Sequence, residues 1–358
     1  MTCNNFYIFC DSNLYFYGFL LSFLIIVISK YWRNFFNKIS IFNTYNTLQK
    51  THESETSRLG GLIFWLVLSL YLFFGNLNEN IEYFLGMIFL SSIPFLIIGV
   101  KEDIFHNTSP TIRLISMFLS TLIYFIFVNP ELPNIDIFLF SSFFTSAIFL
   151  IPFYVICIIT LMNGMNVIDG SNGVLLLTAI MQLLSITFLS LIFNDYFFLN
   201  ISLLLIFFLS ITLFFNFPKG MIFSGDFGAY FFGFLNSIII ISFFGKHQNI
   251  ASWLGVLIVF YPVMEIIFSY LRKILTNKSP FKPDLNHIHL RLFHILKIKN
   301  SSYVSNNYIV IFLLPLILLP LIFLLLFYDS MIIISCSIIF LILIYFTYYL
   351  ILKKIQKK

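Results

Sequence analysis

Residues 307–352 read NYIVIFLLPLILLPLIFLLLFYDSMIIISCSIIFLILIYFTYYLIL, and Asp329 is the only charged residue among them. The stretch divides at Tyr328-Asp329-Ser330 into two apolar runs, 307–328 and 330–352, and about 20 apolar residues suffice to cross a bilayer as a helix. The apolar residues are continuous rather than alternating. A bilayer accepts only helices or closed barrels, and barrel strands alternate, so the runs are read as helices. Outward from this point the pattern recurs at about 14–29, 61–75, 82–100, 112–128, 136–161, 173–193, 197–215, 227–244 and 252–270, eleven runs in all. The chain is 60% hydrophobic, 20% aromatic and 10% charged, which excludes an ordinary soluble domain. The expected fold is an all-α, polytopic transmembrane bundle of about eleven spans. Met1 to Asn13 carries no Lys or Arg and one Asp, so it lacks the basic start of a cleavable signal, and the first run is expected to be a retained helix. Four cysteines, two of them (Cys157 and Cys336) inside runs, make no disulfide framework. No internal repeat, heptad array or linker divides residues 1–358, so a single membrane domain is expected.

Lys and Arg concentrate in loops on the cytoplasmic side of a membrane. With eleven spans and the N-terminus outside, 19 of the 20 basic residues fall on inside segments, the C-terminal lysines among them, and only Lys246 is left outside. The net charge of +5 then reflects topology and contact with anionic lipid rather than nucleic-acid binding. Five inside loops carry the polar chemistry.

The first reads KTHESETSRLGG, with His52, Arg58 and a Gly60-Gly61 pair that opens the next helix. By itself it is equally an ordinary interfacial loop. The second, GVKEDIFHNTSPTIRL, places Glu102 and Asp103 at a helix end, where they can bind a cation, take a proton or simply be solvated; Ser109-Pro110 reads as a helix cap and start. The third, MNGMNVIDGSNGV, repeats Asn163, Asn166, Asp169 and Asn172 at intervals of three, among glycines. Amides that donate and accept together suit a uracil edge or a ribose, and Asp169 suits a hydroxyl or a metal. The fourth, FSGDFG, sets Asp226 between Gly225 and Gly228, either as a ligand for a hard cation such as Mg2+ or as a helix-end carboxylate. The fifth, SPFKPDLNHIHLRLF, gathers Asp284, His287, His289 and Arg291. Without nearby cysteine a structural zinc site is disfavoured, and phosphate contact suits these donors. Glu265, inside the ninth run, is either a structural carboxylate paired with Arg272 or Lys273, the preferred reading, or part of the site.

Together and in this order, the five loops resemble the polyprenyl-phosphate N-acetylhexosamine-1-phosphate transferases of the WecA and MraY type. Those proteins show His-x-x-Pro-x-Pro-Arg-x-Gly-Gly, Gly-x-x-Asp-Asp, Asn-x-x-Asn-x-x-Asp-Gly, Phe-x-Gly-Asp-x-Gly and His-x-His segments. The chain matches them at His52 with Arg58 to Gly61, at Gly99 with Glu102-Asp103, at Asn163 to Gly173, at Phe223 to Gly228 and at His287 to His289. It departs at Glu55 and Ser57, where the family has prolines, at Glu102 in place of Asp, and at Met221, where a lysine is frequent. His287-x-His289 followed by Leu290-Arg291 is similar to the N-acetylglucosamine branch.

The resemblance implies transfer of a HexNAc-1-phosphate, with GlcNAc expected, from a UDP-sugar to undecaprenyl or another polyprenyl phosphate, with release of UMP. The setting it implies is the bacterial inner membrane with a cytoplasmic site, initiating a cell-envelope glycan such as O-antigen. Its expected cofactor is Mg2+, with Mn2+ as an alternative, and a homodimer is compatible with it. Expected roles are Asp226 and Asp169 for metal, Asp103 to orient or deprotonate the lipid phosphate with Glu102 in support, and Asn163, Asn166, Asp169 and Asn172 for the nucleotide. Asp284, His287, His289 and Arg291, with His52 and Arg58, would contact sugar and phosphates. A transporter is the rival class, but its sites lie at mid-bilayer between repeats, whereas these residues share one face. A degenerate lipid-binding paralogue is the second rival, suggested by Glu102 and Met221.

Overall fold

The computed structural model describes residues 11–36, 56–135, 146–279 and 284–356. Among them the architecture is helical: α1 (Ser12–Phe36), α2 (Gly60–Phe74), α3 (Glu79–Ser91), α4 (Ile93–Phe105), α5 (Pro110–Val128), α6 (Ala147–Ile168) and α7 (Val174–Ile192). It continues with α8 (Tyr196–Asn216), α9 (Gly225–Lys246), α10 (Trp253–Ile258), α11 (Phe260–Leu275), α12 (Ile288–Lys297), α13 (Ser302–Phe327) and α14 (Met331–Ile355). Eight of these are long and apolar enough to cross a membrane, and the bent pair α3–α4 brings the number to nine. The chain is a multi-pass membrane protein. Every apolar run coincides with helix where it is described. Three are not simple spans: α2 has only fifteen residues, the 82–100 run is bent at Ser92 between α3 and α4, and the 252–270 run is broken at Val259 between α10 and α11.

The breaks have local causes. Between α3 and α4 the axis turns by 54°, where Pro94 enters the first turn of α4 and removes a backbone donor. Ser92 holds the corner, its hydroxyl donating to Phe89 O (2.6 Å) and accepting from the Trp65 indole (3.0 Å). Ser109 caps α5 by accepting from Ile112 N, with Pro110 at the first position, as the Ser-Pro pair predicts.

Helix α9 is the axis of the bundle. Nearly all its side chains are buried, whereas α1 and α14 bury few of theirs. Lipid tails are as apolar as the helices, so close packing rather than water exclusion must hold α9 in place. Its glycines permit this: a Cβ on Gly233 would lie 2.6 Å from the Met162 Cα of α6. Aromatic pairs fill the remaining space, such as Phe64 with Phe232 and Phe89 with Phe231, both at 5.0 Å between ring centres.

The bundle has two ends. At the far end Asp11 meets Tyr71 and Asn76, and buried Asp195 caps α8 while binding Lys246 (2.7 Å) and His247 (2.8 Å). Lys246, the one basic residue expected outside, is thus paired. Burial raises the Asp195 carboxyl, but the hydrogen bonds from Lys246 and His247 and the Lys246 charge together outweigh it and hold the group below its ordinary value. Every other polar loop singled out in the sequence, so far as it is described, lies at the opposite end, as does the end of α14, where Gln356 binds Arg291.

Candidate active site

The site is assembled at the start of α9. Residues 57–61 run beside 222–224 as a short parallel zipper: Phe223 N donates to Ser57 O (2.9 Å), Gly60 N to Phe223 O (2.8 Å) and Gly61 N to Ser224 O (2.9 Å). A Cβ on Gly61 would stand 2.1 Å from the Cα of Gly228, so the glycine pair is required where α2 crosses α9. Gly225 has φ +76, and a Cβ there would strike the Arg58 carbonyl at 2.1 Å.

This tight turn leaves the first N–H groups of α9 exposed to a partner from another helix. Asp103 provides it, accepting from Asp226 N (2.7 Å) on one oxygen and from Phe227 N (3.1 Å) on the other. Each oxygen thus holds one N–H of α9. Asp226, one residue into the helix, receives Arg113 Nη1 at 3.0 Å, and Arg58 Nη2 lies 3.8 Å away. Arg113 Nη1 also reaches the Tyr230 hydroxyl (3.4 Å) and lies 4.0 Å from Glu102. Glu102 is turned into its own loop, where it accepts from the N–H and hydroxyl of Thr108. Arg58 Nη1 stands 3.5 Å from His106 Nδ1.

Helix α6 runs on to Ile168, so Asn163 and Asn166 belong to its last turns and not to the loop read from the sequence. Asn163 is satisfied internally, donating to Ile159 O (2.8 Å). Asn166 is half-buried and makes no side-chain hydrogen bond among the described residues. Asp169 follows at the helix end. Burial pushes its carboxyl well above the ordinary value; Arg58 opposes this, and the charge of Asp226 adds to it. For Arg58 burial acts downward, but Asp226, Asp103, Asp169 and Glu102 together raise it. Four carboxylates therefore face two guanidiniums, leaving the cluster two positive charges short when all are ionised.

Asn172 is fully buried and serves the scaffold: its N–H donates to Asn306 (2.7 Å) and its amide to Asn307 (2.7 Å), fastening the loop to α13. Arg291 likewise faces away from the cluster, stacked 4.8 Å over Tyr349 and bonded to Asn286 and Gln356. The histidines form a second group beside the first. Arg272 grips Asp284 (2.9 Å), which faces His287 Nε2 at 3.6 Å. Burial acts upward on the Asp284 carboxyl, but the bond to Arg272, its charge and the remaining partners, the Asn286 N–H among them, together outweigh it and hold the group below its ordinary value. The His289 ring stacks on that of His287 and abuts Gly170, where a Cβ would lie 2.5 Å from Nε2. Burial, then the neighbouring His287, pushes His289 down to about 3, so it is neutral at physiological pH. Glu265 pairs with neither Arg272 nor Lys273 in the way the sequence suggests: it binds His287 and Tyr345, because the loop after α11 folds back over it. His52 lies outside the described residues.

Residues 85–244 match the family described as glycosyl transferase family 4. A relative from Thermotoga maritima, an undecaprenyl-phosphate alpha-N-acetylglucosaminyl 1-phosphate transferase, is 27% identical over 293 residues, which cover 82% of this chain and 85% of that protein. A probable undecaprenyl-phosphate N-acetylglucosaminyl 1-phosphate transferase from Bacillus subtilis is 27% identical over 68% of this chain and 67% of its own. A phospho-N-acetylmuramoyl-pentapeptide-transferase from Dictyoglomus turgidum is 28% identical over 62% of this chain and 71% of its own. Over residues 85–244 this chain is similar to glycosyl transferase family 4.

The family match contains Glu102, Asp103, Asn166, Asp169 and Asp226 but stops short of Arg58 and the histidine group. Sequence reasoning did not assign Arg113 or Tyr230 to the site. Tyr230 was within reach of a rule, standing four residues after Asp226 and hence on the same helical face. Arg113 stands as the fourth residue of a helix after Ser-Pro, and its partner lies 113 positions away.

Proposed function

We propose that this chain transfers N-acetylglucosamine 1-phosphate from UDP-GlcNAc to a polyprenyl phosphate, with undecaprenyl phosphate the expected acceptor, releasing UMP. The observation that carries this reading is the Asp226 cluster, in which acids and guanidiniums from four separate loops meet at one end of a membrane bundle. The names of the relatives supply the substrates.

The reaction needs an oxygen of the lipid phosphate to attack the sugar-bearing phosphorus as UMP leaves. Such transfers depend on positioning and on stabilising charge over the phosphoryl oxygens, not on a protein nucleophile. Arg58, whose side chain is 41% exposed, is placed to swing onto a phosphate, and Arg113 to hold Asp226 until substrate arrives. Asp103 acts by fixing the start of α9, and with it the direction of Asp226. Asn166 offers an unused amide to the nucleotide.

Among the described residues no group of three or more His, Cys, Asp or Glu side chains is arranged to hold a metal ion. Mg2+ does not require one, because it is commonly held by one or two carboxylates together with substrate phosphates and water. The charge deficit of the cluster and the half-buried Asp169, which makes no ion pair among the described residues, fit that ion, with Asp226 and Asp169 as its protein ligands. When bound it would neutralise charge on the transferring phosphoryl group.

For topology, an odd number of crossings with the N-terminus outside is supported by the placement of Asp11 at the far end and Gln356 at the site end, and by the lysine and arginine distribution. On this reading the site faces the cytoplasm at a bacterial inner membrane. Purified protein supplied with UDP-GlcNAc, undecaprenyl phosphate and Mg2+ is expected to release UMP. No UMP from that mixture, or from a panel of UDP-sugars, would refute the transferase reading.

A further inference from the structure

Glu265 lies within the α11 segment, 1% exposed, where a carboxylate is costly unless it is compensated. Its partners come from two other elements. Oε1 accepts from His287 Nδ1 (3.0 Å) and from Ile288 N (3.2 Å), the first N–H of α12, while Oε2 accepts from the Tyr345 hydroxyl of α14 (2.8 Å). Glu265 therefore caps α12 from outside and holds the ring of its N-cap residue. On the other edge of that ring, Nε2 faces Asp284, itself gripped by Arg272. With a carboxylate against each nitrogen, the His287 ring cannot turn over without giving up a partner. His289 stacks on it and rests against Gly170, one residue from Asp169.

We propose that Glu265 is a positioning residue for donor binding: acting through His287, it sets the His287–His289 ring pair against the Asp169–Gly173 loop, where the diphosphate of the nucleotide donor binds. The inference rests on the transferase reading and deepens it, since the resemblance gives the histidines to sugar and phosphates and the reading assigns Glu265 no role. An acid that only held helices together would affect both substrates alike. One that orients a donor-binding ring should affect the donor alone. Carboxylate partners that orient a functional histidine typically matter 10- to 100-fold, about the size expected here.

The test is a double-mutant cycle on full-length enzyme, following UMP release with UDP-GlcNAc and undecaprenyl phosphate varied separately. Glu265→Gln should raise the KM for UDP-GlcNAc on the order of 10- to 100-fold, with the KM for the lipid phosphate unchanged. His287→Ala should do the same, and Glu265→Gln added to His287→Ala should have no further effect, because the pathway is already cut. Tyr345→Phe, which leaves the carboxylate in place, should give a smaller rise for the donor only, and it decides the matter if Glu265→Gln does not insert. Additive effects in the double variant, or KM values rising together for both substrates, would overturn the proposal. An inactive wild-type protein would instead sink the transferase reading itself.

Discussion

At the scale of single residues, charge decides what each acid can do. Asp226 holds its place through backbone geometry, so Asp226→Asn should leave insertion intact and remove turnover, read as UMP release beside a normal melting curve. Asp103 has both oxygens committed to α9, and an amide can accept on only one of them. Asp103→Asn should therefore lower stability by about 1–3 kcal/mol and slow turnover on the order of 10²-fold through misplacement of Asp226. The same geometry argues against a covalent intermediate on Asp103. Labelled UMP incubated with UDP-GlcNAc but no lipid should not enter the sugar nucleotide, and rapid exchange would show that the acid is a nucleophile after all. For Asp169 the folded value lies above the unfolded one, so its ionised form destabilises the fold. That cost grows as pH rises above the ordinary 3.8 and is absent below it. Asp169→Asn should raise the melting temperature in metal-free buffer at pH 7, with little change at pH 3, while activity falls. A lower melting temperature at pH 7 would mean that the carboxylate is compensated by a group not identified here.

At the scale of elements, the glycines divide into those that permit a crossing and those that merely sit in a helix. Gly61 meets backbone at 2.1 Å where α2 passes α9, and backbone cannot move aside as a side chain can. Gly61→Ala should destabilise by about 1–3 kcal/mol, and because Arg58 rides on the same segment, activity should fall with it. Gly86, inside α3, has nothing within 4 Å of the position a Cβ would take. Gly86→Ala should be neutral or stabilising by about 0.5–1 kcal/mol. Thermal melts of the two variants side by side separate the two cases; equal losses would show that the α2–α9 crossing is looser than the contacts indicate.

At the scale of the whole molecule, the two ends of the bundle should differ in access. In a background without the four native cysteines, a cysteine at Asn76 or Asn249 should react in intact cells with an impermeant thiol reagent. One at Asn107 or Lys278 should react only after lysis, and labelling of Lys278→Cys from outside would invert the topology. The sequence by itself determined the class of the fold, because twenty-residue apolar runs have a single solution in lipid, and it determined the end at which the chemistry gathers, because lysine and arginine distribute by side. It also marked Arg58, Asp103, Asp169, Asp226 and the His287–His289 pair, whose loops match a family order. Only tertiary structure decided which of the marked residues are free to act. Asn172 and Arg291 are spent on Asn307 and Tyr349, Asp103 on the start of α9, and Arg113 enters the site from 113 residues away. A motif records residue type and spacing along one chain segment, whereas a hydrogen bond is made to whatever another segment brings within about 3 Å, and that is settled when the helices pack.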